Sequence, residues 1–285
     1  MSPVPENPLP PPLLPVPPPS HPPPGPPPPQ SWLKKLLAPL GTLGVLLAKF
    51  FAQFKLFLFA ALKFGGPLLK TGGTMLLSIW VYAQFWGWPF AAGFVILIFI
   101  HECGHLLLAR VFGLRVSVPM FIPFLGALIL LKENPRNAWV EAWVGIGGPL
   151  FGALGALGCA LVYLAGGSPL FRALAYAGFF LNLFNLAPIG QLDGGRVVSA
   201  LSPWLWVAGY AIMVPYAVFH PSFILILILV MGLPRLISLF RARNATQQRY
   251  YEVTAPQRVV MATMYFGLIA LLVLGMQLAN FDPRG

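Results

Sequence analysis

The 285-residue chain is short of charge, and shortest of acid: 9% of its residues are Asp, Glu, Lys or Arg, and seven are acidic. Ordinary soluble domains carry roughly a quarter charged residues, so a water-facing surface around a globular core is excluded. Cysteine is almost absent. Cys103 and Cys159 each fall in an apolar stretch, which excludes a disulfide framework. The start of the chain also lacks the basic segment and short apolar core of a cleavable signal peptide, so insertion is expected to be directed by internal segments.

Hydrophobic residues are abundant, at 58%. Uncharged runs at 142–166 and 259–279 reach the ~18–20 residues needed to cross a bilayer. The fold class expected is an all-α polytopic membrane protein of about six to seven transmembrane helices. Spans are expected near 73–85, 89–112, 137–166, 170–187, 203–219, 222–240 and 259–279, with a short helix beginning near Gly194. The segment 114–131, rich in Val, Ile and Phe and broken by Pro119 and Pro123, reads as a strand-like or re-entrant element packed against protein.

The net charge of +11 does not indicate nucleic acid, because the basic residues sit in the gaps between apolar runs. With the N-terminus inside, Arg172 and Arg284 are the two of the eighteen basic residues that fall outside, which fixes the expected orientation by the positive-inside rule. The N-terminus is then cytoplasmic, and the location expected is the inner membrane of a bacterial cell.

Four regions follow. Seventeen of the first thirty residues are proline, a composition that makes an extended tail open to an aromatic-lined partner groove. Residues 31–70 place Lys49, Gln53, Lys55 and Lys63 over a broad polar sector, the pattern of a helix lying in the membrane interface; a full span is the alternative. Residues 71–203 form the core, and 204–285 supply further helices around a polar loop at 241–258.

Two of the few acids, Glu102 and Asp193, lie in or beside apolar segments, where an ionisable group costs at least ~2.5–3.5 kcal/mol on insertion scales and indicates function by default. Glu102 belongs to His101-Glu102-Cys103-Gly104-His105. Histidines four apart share one helix face and can reach a single zinc ion. The glutamate between them is suited to accept a proton from an attacking water. The alternative is two histidines hydrogen-bonded in a helix bundle. A catalytic zinc site needs a third ligand, and Asp193, at the matching depth, is the best remaining candidate. Its alternative is a helix N-cap for the segment beginning at Gly194. Gly145, Gly148, Gly152 and Gly155 share a face of the 137–166 span, which permits close helix packing.

His101–His105 inside a span, with Asn185-x-x-Pro188-x-x-x-Leu192-Asp193-Gly194-Gly195 downstream and Gly147-Gly148-Pro149 between them, closely resembles the site-2 protease family of intramembrane zinc metalloproteases. The resemblance covers about residues 72–203 and implies zinc held by His101, His105 and Asp193, with Glu102 as catalytic base. It implies a substrate role for Asn185, Gly148 and Pro149, and a membrane-spanning protein as substrate; a hydrogen bond to unwound backbone near Pro188 is the alternative for Asn185. It further implies that 114–131 lies beside the substrate, and the chain looks like a minimal member without an inserted regulatory domain. Gln191 departs from the pattern, since many relatives have proline there. Two rival readings remain: a divalent-metal transporter and an inactive protease-like scaffold.

Overall fold

Local chemistry sets where the helices start and stop. The chain was analysed as a computed structural model that describes residues 71–124, 126–129, 131–240 and 245–281; the proline-rich tail and the amphipathic region expected at 31–70 lie outside the described residues. Helix α1 (Thr71–Trp86) and helix α2 (Trp88–Val111) are separated by Gly87, whose φ of 78° breaks the helix, and Pro89 enters the first turn of α2, where no amide donor is needed. α2 ends in a Schellman motif: Gly113 takes φ 74°, its amide bonds Arg110 O, and the Leu114 amide bonds Ala109 O.

Helix α3 (Ala138–Leu164) starts at Asn137, whose side chain accepts from the Val140 amide at 3.0 Å. It closes on Gly166, at φ 98°, with the same hydrogen-bond pattern. Helices α4 (Pro169–Asn185), α5 (Asp193–Leu201), α6 (Leu205–Phe219), α7 (Phe223–Ile237, extended by a 3-10 turn to Phe240), α8 (Ala245–Tyr250) and α9 (Ala255–Asn280) follow. α9 opens with a reciprocal Thr254–Gln257 capping box.

Among the described residues, four helical segments are long and apolar enough to cross a membrane: Trp88–Val111, Ala138–Leu164, Phe223–Phe240 and Ala255–Asn280. The chain is thus an integral membrane protein, and its described residues are mostly helical with one small sheet. α1, α4 and α6, at 16, 17 and 15 residues, are shorter than the six-to-seven-span expectation assumed. The 114–131 segment folds as an antiparallel pair, β1 (Met120–Ile122) on β2 (Gly126–Leu128), with an isolated bridge between Val116 and Leu131. β1 is fastened to α1, because Thr74 Oγ1 accepts from the Phe121 amide at 3.1 Å and Thr71 Oγ1 donates to Pro119 O at 2.7 Å. The Tyr82 hydroxyl accepts from the Phe124 amide at 2.9 Å.

α3 is the central helix, packed on α2, α4 and α5. Its contacts rest on small residues. A Cβ on Gly104 of α2 would strike the backbone of Gly147, and one on Gly178 of α4 would lie 2.9 Å from the Ala156 Cβ, so both helices approach α3 at backbone distance. The main buried cluster, including Ile146, Phe179, Leu186, Val197, Trp206 and Met261, ties α3, α4, α5 and α9 together.

Candidate metal centre

Two histidines one turn apart on α2 and the first residue of α5 meet in the interior. His101 Nε2 and His105 Nε2 lie 3.0 Å apart, and Asp193 Oδ2 is 3.2 and 3.3 Å from them. Asp193 therefore does not cap its helix. Leu192 occupies the N-cap position with no side-chain cap, and the Asp193 carboxylate turns to the imidazoles. The cluster lies about 9–15 Å along α2 from its C-terminal end, at 1.5 Å per residue, well inside a membrane-length helix.

The outer nitrogens reveal the protonation pattern. Asn182 Nδ2 donates to Gly178 O at 2.7 Å, which turns its Oδ1 toward His101 Nδ1, also at 2.7 Å. An amide oxygen can only accept, so His101 carries its proton on Nδ1. His105 Nδ1 lies 2.7 Å from Val144 O and is protonated for the same reason. The Gly148 amide also points at His105 Nδ1, at 3.3 Å, but the shorter contact to an obligate acceptor decides the tautomer. With the proton on Nδ1, a neutral imidazole turns an Nε2 lone pair inward, and both Nε2 atoms face the same carboxylate oxygen.

Three acceptors that converge in this way repel one another unless a cation lies among them. A proton serves two of them; a metal ion serves all three. Ligands held 2.0–2.1 Å from a tetrahedral zinc are ~3.3 Å apart, so the observed triangle fits with little adjustment. Two imidazoles and one carboxylate leave a fourth position open, as in catalytic rather than structural zinc sites.

The glycine face of α3 forms the floor. Gly145 backs onto α5, Gly148 lies beneath both imidazoles, and Gly152 lies beneath Asn182. The stripe that allows helix packing thus also admits three polar side chains, His101 and His105 of α2 and Asn182 of α4. Pro149 is fully enclosed within α3. Glu102 groups with the two histidines, their nearest polar atoms within 4.8 Å of one another, yet its carboxylate has no hydrogen-bond partner among the described residues. Asn185, the last residue of α4, is half-buried and likewise unpartnered among the described residues; it does not bond the backbone near Pro188. The side chains of His105 and Asp193 each retain 12% exposure.

Sequence reasoning missed Asn182. The signal was available, since an uncharged polar residue within Phe179–Leu183 has no reason to be there unless it bonds something. Residues that orient a metal-ligating imidazole typically contribute 10–100-fold to metal affinity. Asn182→Ala should therefore weaken zinc binding about tenfold or more, measured by competition with a chromophoric chelator, with the helical content unchanged.

Residues 89–177, which include the histidine pair and the whole of α3, match the model of Peptidase family M50. The chain is 30% identical over 132 residues to "Zinc metalloprotease MJ0392" of Methanocaldococcus jannaschii, covering 44% of this chain and 37% of that protein. It is 33% identical over 107 residues to "Putative zinc metalloprotease sll0528" of Synechocystis, covering 35% of this chain and 28% of that protein. A similarity to "Probable zinc metalloprotease EGY2, chloroplastic" of Oryza sativa runs at 29% over 147 residues, 36% of this chain and 27% of that one. The alignments span less than two fifths of the length of these relatives.

Proposed function

We propose, starting from a chain that belongs to the site-2 protease family (peptidase family M50), that it is a zinc metalloendopeptidase cutting peptide bonds within or near the transmembrane segments of other proteins. One observation carries the reading: two imidazole nitrogens and a carboxylate oxygen converge within 3.0–3.3 Å of one another. His101, His105 and Asp193 hold the ion, and Glu102 is the base.

Bound zinc would polarise the scissile carbonyl and make the attacking water more acidic. Glu102, with no hydrogen-bond partner among the described residues, takes the proton of that water and delivers it to the leaving amine. The Asn185 amide donates to the oxygen on which negative charge develops. Gly148 and Pro149 belong to the packed floor, so what they offer a substrate is the shape of the cavity above them.

The substrate must unwind to be cut, and an extended strand needs hydrogen-bond partners in lipid. β2 offers them. The Phe121 amide points to α1 rather than to β2, which makes Phe121–Ala127 a non-hydrogen-bonded pair and turns the Ala127 amide and carbonyl to the open edge. The reading takes α1, α2, α3, α4, α6, α7 and α9 as crossings, with a cytoplasmic N-terminus and a location in a bacterial inner membrane. On that reading Arg110, Arg136, Arg235 and Arg258 share the inner side with the metal centre. The proline-rich tail remains available to a partner.

The test is a cleavage assay on purified protein with single-span substrates, with zinc content measured in parallel. One zinc per chain and chelator-sensitive cleavage are expected. Ala127→Pro, which removes an edge donor, should lower kcat/KM at least tenfold while zinc is retained. Metal flux into liposomes without cleavage would instead indicate a divalent-metal transporter, and bound zinc without cleavage an inactive scaffold.

A further inference from the structure

Asp193 reaches the metal centre from an irregular turn, residues 186–192, with few internal bonds of its own: the Ile189 amide to Ala187 O and the Leu192 amide to Ile189 O. Its shape is set from outside, largely by α7. Arg235 Nη1 donates to Gly190 O at 2.9 Å, and Gln191 Nε2 donates to Met231 O at 3.0 Å. Gly190 and Gly232 allow the approach, since a Cβ on Gly190 would lie 3.0 Å from Gly232 O, and one on Gly232 would lie 2.9 Å from Ile189 Cγ2. On the far side of the turn, Trp206 Nε1 donates to Gly195 O at 2.8 Å, with the Arg235 guanidinium over the Trp206 ring.

The second end of the Arg235 guanidinium forms an ion pair with Glu141 of α3. Glu141 is buried, and it also accepts from the Tyr250 hydroxyl at 2.7 Å and from Ser199 Oγ at 3.3 Å. α3 is the helix whose Val144 carbonyl orients His105 and whose Gly148 seats both imidazoles. Arg235 therefore spans the two halves of the centre, the histidine floor and the aspartate turn. Stability alone is a poor reason for such a pair, because replacing a buried ion pair by apolar side chains of similar volume is often neutral or favourable. What apolar residues cannot do is hold Gly190 O at a fixed distance from α3.

We propose that α7 is a brace for the aspartate ligand, and that Arg235 and Gln191 are positioning residues that fix Asp193 against His101 and His105. The Gln191 side chain ties the turn to α7 at Met231 O. The C-terminal helices then become part of the metal site rather than an appendage to it.

The inference rests on the metal-centre reading, and the experiment separates the two. Full-length parent, Arg235→Lys, Gln191→Ala and the double variant Glu141→Leu with Arg235→Met are purified, then compared by chelator competition for zinc, thermal melting and cleavage kinetics. The double variant should melt near the parent but bind zinc ~10–100-fold more weakly, with kcat reduced and KM little changed. Arg235→Lys, able to serve Gly190 O or Glu141 but not both, should fall between. Gln191→Ala alters an exposed side chain, folds irrespective of the pair, and should weaken zinc to a smaller degree. If the double variant and Gln191→Ala both bind zinc with parental affinity, the brace is wrong. If the double variant fails to fold, Gln191→Ala alone decides. A parent that holds no zinc overturns the metal-centre reading itself.

Discussion

Glu102→Gln should leave one zinc per chain and abolish cleavage, with the rate falling by at least ~10²-fold, within the 10²–10⁴ typical of a lost general base. The expectation follows from position rather than from motif alone. Glu102 is 6% exposed and stands in the His101–His105 group, but among the described residues nothing donates to its carboxylate. Glutamine keeps the shape, so the imidazoles and Asp193 have no cause to move. It cannot accept the proton of an attacking water. The variant therefore isolates proton transfer from metal binding, and it tells a protease from a scaffold, since a scaffold has nothing to lose. Zinc content by mass spectrometry and cleavage of a single-span substrate are measured on one preparation. Cleavage at the parental rate would remove Glu102 from the mechanism.

The chemistry of the centre was legible because ionisable groups are expensive in apolar segments. His101, Glu102 and His105 announce a helix face, and the topology brings Asp193 to the same depth from the opposite direction. The helices were legible for a related reason: Gly87, Gly113 and Gly166 punctuate apolar runs, and the structure uses each at positive φ. The supporting residues were not legible. Asn182 and Asn185 stand three apart on one helix, yet Asn182 orients an imidazole over Gly152, while Asn185 has no hydrogen-bond partner among the described residues. The Glu141–Arg235 pair was not legible either, since nothing in the sequence pairs a residue at the start of α3 with one near the end of α7. Gln191 looked like a local departure, and its partner is forty residues away. Pairings across the bundle depend on tertiary approach, which periodicity does not carry.

Gly148→Ala should cost the protein its metal, a larger effect than its single added methyl suggests. A Cβ built at Gly148 falls inside 3.0 Å of His105 Nε2 and 2.7 Å from His101 Nε2. Neither ring can retreat freely, because Asn182 holds His101 and the Val144 carbonyl holds His105. Alanine's better helix propensity, ~1 kcal/mol over glycine, favours α3 and does nothing for the clash. Zinc affinity should therefore fall at least ~100-fold, beyond what a lost orienting hydrogen bond alone would cost, with helical content preserved. Gly158→Ala on the same helix is the control, since a Cβ there meets nothing within 4 Å and zinc binding should be parental. The same variant decides between two roles for this glycine. A position that only contacts substrate would raise KM and keep the zinc, whereas the floor of the metal centre loses the zinc first. Parental zinc affinity in Gly148→Ala would mean that the imidazoles do not rest on α3, and the three-ligand geometry would fall with it.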